Sequence, residues 1–543
     1  MRKLRVLSLA SCSLLYISAS FAQGAGNSDV TPMLLPGLGD HHHPISTRNS
    51  DAQKYFDQGL MLVFGFNRAE AVRSFRRATQ LDPTAAMPYW GMALAYGRHM
   101  NMDWDMDVEP AKAFAAIEQA VALSPRASDE EQLYIHALAE RCSKDEKADG
   151  HLLDENYAAA MTRLASRYPD DLDAWAFSLE ARMMAHRYEW FHGNMAQGGT
   201  NEIIREIEDL LRRDPDHPLA NHLHIHILDT GHPELALGSA YRVGQIAPGL
   251  GHLQHMSSHI FFNLGDYEMT ARVNAQAAAA DREYMRVASP GYTTYTLGYY
   301  LHDVHFASRA RAEQGLFEEA MSYADQVADF VRPVQDRWPM ISDYFLPVPL
   351  LTLLRFQRWD ELLQLPEPQA DRRVGHGLWH YGRAMAFAAK GQKQKALAEK
   401  AALESLRQNM PGDAMWMLNT GQAMLGLASL VLDARLAENR MDEIEAWKRA
   451  VKTQDALAYD EPPPWYYPIR ESLGAALLRA GNAPEAEAVF RECLRLNPRD
   501  PRALFGLMET LKAQKKMDAV LWVQHEFEAS WKNPKISLRL EDL

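Results

Sequence analysis

The sequence predicts an all-α protein, a long array of stacked helical hairpins. Apolar residues recur at helical spacing along nearly the whole chain, Gly and Pro fall between short helices, and no alternating, strand-like run of useful length interrupts them. A chain of 543 residues would ordinarily divide into several domains. An array of repeats escapes that limit because each unit needs only its neighbours to bury its apolar face.

The chain opens with MRKLRVLSLASCSLLYISASFAQG. Basic residues (Arg2, Lys3, Arg5) precede an apolar stretch, and Ser20, Phe21 and Ala22 follow where a signal peptidase reads small residues. Residues 1–22 are therefore predicted to be an export signal cleaved near Ala22, and the mature protein periplasmic or secreted. A lipoprotein reading of Leu9, Ala10 and Ser11 before Cys12 fails, because almost no apolar run precedes that cysteine. Downstream, no run of about 18 uncharged apolar residues predicts a membrane span. The formal net charge is −14, and more negative once the basic start is removed, which makes nucleic acid an unexpected partner. Two cysteines remain, Cys142 and Cys493, far apart in sequence, so no disulfide framework is expected and stability must come from helix packing.

After a His-containing arm (23–50), the pattern divides into repeats at 51–200, His-rich repeats at 201–335, degenerate repeats at 336–455 and further repeats with a cap at 456–543. In the first, Gly59 lies twelve residues before Ala71 in AEAVRSFRRATQLDP, followed by Phe75, Ala78 and Pro83. Small residues at 59 and 71 let two helices approach, Phe75 and Ala78 fill the seam, and Pro83 stops the second helix. A stretched copy runs through Ala113, Ile117, Ala120 and Pro125, with the insertion RHMNMDWDMD between its helices. Weaker copies end at Pro215 and Pro248, and others begin near Leu301 and after Trp379. The spacing returns at Gly474, Ala486, Phe490, Cys493 and Pro498, where Cys493 replaces a small buried alanine. This signature resembles the tetratricopeptide repeat closely, which implies a right-handed superhelix. EPPPWYYP breaks helices and is expected to cap or turn the array; Trp465, Tyr466 and Tyr467 are expected to close a core.

Nine of the 21 histidines fall between His222 and His305. With helix A of one repeat starting at Pro218, His222 and His226 take positions 5 and 9, one turn apart on one face. With the next starting at Gly251, His252, His255 and His259 take positions 2, 5 and 9; with the third at Leu301, His302 and His305 take 2 and 5. Anchoring the first of these on Ala236 instead shifts its frame by one residue. In repeats of the kind resembled, these positions line a concave groove, so imidazoles from neighbouring helices are predicted to converge on a transition metal. Imidazole suits copper, zinc or iron. Asn221, Asp229, Asn263, Tyr295, Tyr299 and Asp303 are candidates to orient rings or supply oxygen. His224 is expected to face the core or a neighbouring helix, and His232 to sit in a turn. His41, His42 and His43 either fold into the groove or form a solvated, weakly metal-binding arm. His186 and His192, and His376 and His380, read as structural pairs.

HHHPIST, YWGMALAYG, HMSSHI and EPPPWYYPIRESLGAALL together resemble a bacterial family of exported tetratricopeptide repeat proteins, over most of residues 40–510. The resemblance implies the fold and carries no established reaction. No phosphate loop, nucleophile elbow or HEXXH occurs. The predicted function is metal binding in the groove, with metal-dependent oxidation of a small molecule or peptide as the expected chemistry and metal-assisted hydrolysis next. The rival is a metal-free scaffold binding a peptide or partner protein in the same groove.

Overall fold

A computed structural model describes residues 32–101, 107–145, 147–533 and 535–543. The export signal predicted at 1–22 and most of the MDWDMD insertion lie outside them. The described residues are helical hairpins joined by short turns, with two two-stranded ribbons, Phe191–His192 with Met195–Ala196 and Met415–Trp416 with Asn419–Thr420.

The first hairpin pairs Ser50–Phe64 with Arg68–Leu81. Asn49 and Asn67 cap the two helices by accepting backbone N–H groups that have no partner inside the helix. A Cβ at Gly59 would lie 2.6 Å from the Phe75 ring, and one at Gly91 of the following helix 2.5 Å from it, so the ring is clamped between two glycine faces. Phe490 is held in the same way by Gly474 and Gly506. Cys493 is fully buried beside it, and Trp465, Tyr466 and Tyr467 are buried, Tyr466 sharing a 2.9 Å hydrogen bond with Tyr381.

The apolar residues form two main cores, one from Leu38 to Tyr299 and one from Ala278 to Leu543, which meet along the 22-residue helix Tyr267–Ala288. Long-range contacts close the array. The arm lies against the Pro248 turn, where Gly249 N–H donates to Gly37 C=O at 2.7 Å. At the other end, Lys532 N–H donates to Gln314 C=O at 2.9 Å, and Tyr267 donates to Pro498 C=O at 3.3 Å. Between them, buried Arg355 bridges Glu313 and Glu471 at 2.8 and 2.7 Å, joining a central repeat to the C-terminal ones. The C-terminal repeats therefore pack back onto the central ones. No helix among the described residues is long and apolar enough to cross a membrane.

Candidate metal centre

Three helices carry the central histidines: Pro218–Leu228, Gly251–Asn263 and Tyr300–Glu313. Pro218 starts the first helix, where its missing N–H costs nothing. A π-helical turn, Tyr295–Tyr299, leads into the third and brings its two tyrosines against the second: Tyr295 accepts the His252 backbone N–H at 3.2 Å, and the Tyr299 ring lies 4.7 Å from that of His252.

Six of the seven predicted ligands come together in two sets, His222, His226 and His252 in one and His255, His259 and His302 in the other. In each set, one nitrogen from each ring lies within 4.8 Å of the others. The ring centroids of His222 and His226 are 4.8 Å apart and that of His252 is 5.1 Å from His222; in the second set His255 lies 4.7 Å from His259 and 4.5 Å from His302. The two sets adjoin, with His252 to His255 at 5.9 Å and His226 to His259 at 6.5 Å.

The surroundings decide which nitrogen faces inward. His222 Nδ1–H donates to Phe64 C=O at 2.8 Å, leaving Nε2 with its lone pair. Asn274 donates its amide to Thr270 C=O at 2.9 Å, which turns Oδ1 toward His255 Nδ1 at 2.6 Å; Asp303 lies 3.1 Å from the same nitrogen. His259 Nδ1 meets the Glu461 carboxylate. The Nε2 atoms of His255 and His259 face one another at 2.9 Å, close enough to share one proton or one cation. In the first set, His222 Nε2, His226 Nε2 and both nitrogens of His252 have no hydrogen-bond partner among the described residues. Each such buried orphan costs about 1–3 kcal/mol.

Burial keeps five of these rings neutral. Desolvation lowers His222 to about 3 and holds His226, His252, His255 and His302 well below the usual imidazole range, neighbouring imidazoles adding to the effect. Neutral imidazole is the ligand form. Beneath the second set, buried Asp281 and Asp303 share a hydrogen bond, and burial raises Asp303 well above the usual carboxylate range.

The expectation of an open groove is corrected by the closure of the array. His222 and His255 are fully buried, and His302 alone of the six is half-buried. Phe66, from the first hairpin's turn, packs on His222 at 4.7 Å and stacks on His252 at 5.0 Å and His226 at 6.0 Å; Phe306 covers the second set from 5.4 to 5.5 Å. His305 faces away, against Tyr344 and Phe345 in a cleft with Arg309 and Pro462.

Of the residues expected to orient the rings, Tyr299 packs on His252 and Asp303 lies against His255 Nδ1, whereas Tyr295 meets only the His252 backbone and donates to Asp281 at 2.7 Å. Asn221 instead donates to Pro215 and His217 carbonyls, and Asn263 to the Asp229 carbonyl. The Asp229 carboxylate groups with His259 and Glu461. His224 turns to Ser239 on the neighbouring helix at 3.0 Å, and His232 occupies a turn. Two contributors escaped the sequence reading. Asn274 is a polar residue on the buried stripe of its helix with Ala271, Ala278 and Asp281, a legible signal. Glu461 had none, because it arrives from a helix-breaking segment some 200 residues away in sequence. His41 and His43 fold inward rather than lie in solvent: they meet buried Asp173 at 3.1 and 2.8 Å, beside His217 at 3.2 Å, and His43 groups with Asp171 and Asp173 rather than with the six.

Residues 469–510 match the tetratricopeptide repeat family. Those residues form a tetratricopeptide-repeat hairpin and part of the next helix, within the array of helical hairpins described above. Among solved structures, the chain is similar to the human IFIT1 dimer with m7Gppp-AAAA (11% identity, 89% of this chain and 91% of that one, TM-score 0.31). It is likewise similar to yeast Tom70 (12%, 88% and 90%, TM-score 0.30). No curated protein matches it in sequence.

Proposed function

We propose that this tetratricopeptide-repeat protein holds transition metal in its interior through His222, His226, His252, His255, His259 and His302. The single observation that carries the reading is that, twice over, one nitrogen from each of three imidazoles converges within 4.8 Å inside the array. In the first set, His222 Nε2, His226 Nε2 and both nitrogens of His252 have no hydrogen-bond partner among the described residues, and Asn274 lies against the Nδ1 of His255 in the second, as a partner behind a ligand does. Copper, zinc and iron accept such all-imidazole sets. The reaction that a redox-active ion there would serve is oxidation of a small molecule, and an exported compartment is part of the proposal.

The test is elemental analysis of untagged protein after dialysis against a mild chelator, with melting curves before and after metal is added back. Bound metal is expected near stoichiometry, and free metal at a hundredfold excess over Kd should stabilise the fold by about 2.7 kcal/mol. No metal, and no uptake on reconstitution, would leave a metal-free scaffold that binds a peptide or protein.

A further inference from the structure

Each histidine set is built by the same rule. Its first two rings sit one turn apart on helix A of one repeat, at positions 5 and 9, and its third comes from position 2 of the next helix A: His222, His226 and His252, then His255, His259 and His302. The metal site is itself repeated with the fold. The rule stops at the third helix, where His305 again holds position 5 but position 9 is Arg309, whose guanidinium pairs with Glu313 at 2.6 Å. A cation there excludes a third site, which is why His305 stands apart.

We infer that the two sets hold two copper ions side by side, one in each; this rests on the metal-binding reading above. Six imidazoles exceed the roughly four ligands of a tetrahedral ion, and within each set one nitrogen from each of three rings converges within 4.8 Å. Three imidazoles per ion leave each with an open position, and two-metal sites work with ions about 3.5–4 Å apart. Copper follows from the charge of the donors. All six donors are imidazoles, which bind metal in their neutral form, and no carboxylate belongs to either set: Asp303 and Glu461 lie against the Nδ1 atoms of His255 and His259. A buried pair of monovalent copper(I) ions places half the charge of two divalent ions in this low-dielectric interior. In the divalent state, copper stands highest in affinity for nitrogen donors.

The experiment loads metal-free, full-length protein with copper(I) under anaerobic conditions against a competing copper(I) chelator, then counts bound copper after gel filtration. Two ions per chain are expected for the wild type and one for each of the variants His222→Ala/His226→Ala and His255→Ala/His259→Ala. After oxidation in air, the wild type should show well below two unpaired spins per chain, because neighbouring copper(II) ions couple, and each variant close to one. Where a double variant loses its helical signal, His226→Gln and His259→Gln replace it. One ion per chain, removed by either variant, overturns the two-ion inference while leaving the metal-binding reading intact. Two ions carrying two full spins overturn the pairing, and stoichiometric displacement of the copper by equimolar zinc overturns the choice of element. No uptake of any metal overturns both readings together.

Discussion

Phe66 shows how much the site asks of one side chain. It occupies the turn position before the second helix of its hairpin with φ of 56°, in the left-handed region. The equivalent turns at Gly265, Gly315, Gly391 and Gly481 use glycine at φ of 70–84°. A bulky residue there costs about 1–3 kcal/mol, and its ring is what covers the first histidine set. Replacing Phe66 by glycine relieves that strain but deletes a buried aromatic worth about 3–5 kcal/mol. The loss is the larger. F66G is expected to lower stability by about 2 kcal/mol in urea titration and to release metal faster to a chelator in stopped-flow mixing; unchanged release would show that the ring is only structural filling. The same arithmetic at His305 and Arg309 decides the extent of the site, since one charge where an imidazole would fit ends the series.

At the scale of elements, the arm and the central helices respond to pH with opposite sign. Burial opposes protonation of His41 and His43, but the hydrogen bonds and charge of Asp173 prevail and raise both above the usual imidazole range, while those same histidines, with His217, hold Asp173 well below the usual carboxylate range. The histidine contribution is fully present below the unfolded value near 6.5 and fades as pH rises through the raised values; that of Asp173 is present above about 4. The arm is thus held most firmly between about pH 4 and 6.5. Limited proteolysis should cut within residues 32–49 faster at pH 9 than at pH 6, and Asp173→Asn should cut rapidly at both. Equal rates for the parent protein at the two pH values would contradict the assignment. The arm was legible as a histidine cluster, but its receptor was not: Asp173 lies on another hairpin, and no periodicity links the two.

For the whole molecule, the consequence of burying so many neutral imidazoles is acid sensitivity. Desolvation lowers His222 and His305 to about 3 and His224 to about 4, and takes His226, His252, His255 and His302 lower still than their usual value. Below pH 6.5 the unfolded chain takes up these protons and the folded one does not, so stability falls by about 1.4 kcal/mol per pH unit for each group until its folded value is reached. The metal-free protein should lose melting temperature steeply from pH 7 to pH 5 in scanning calorimetry, and the metal-loaded protein in parallel from a higher starting temperature. A flat profile for the metal-free protein would mean that the rings are solvated rather than buried. This cooperativity depends on closure, because Glu461, Phe66 and the C-terminal repeats bury helices that an open array would leave to solvent.

The sequence by itself determined the hairpins, because 3.6-residue periodicity, small residues at helix crossings and prolines at helix ends are local properties that act within one repeat and its neighbour. It also placed seven imidazoles in register, since positions 2, 5 and 9 of successive helices are fixed by that same local geometry. Only the tertiary structure decided that six of these rings form two sets while His305 stands apart, that the sets lie inside the array, and that Phe66, Asn274 and Glu461 pack against them. Those outcomes depend on how the array curls back on itself, and the small angle between one repeat and the next is summed over the whole chain from packing that no single segment encodes.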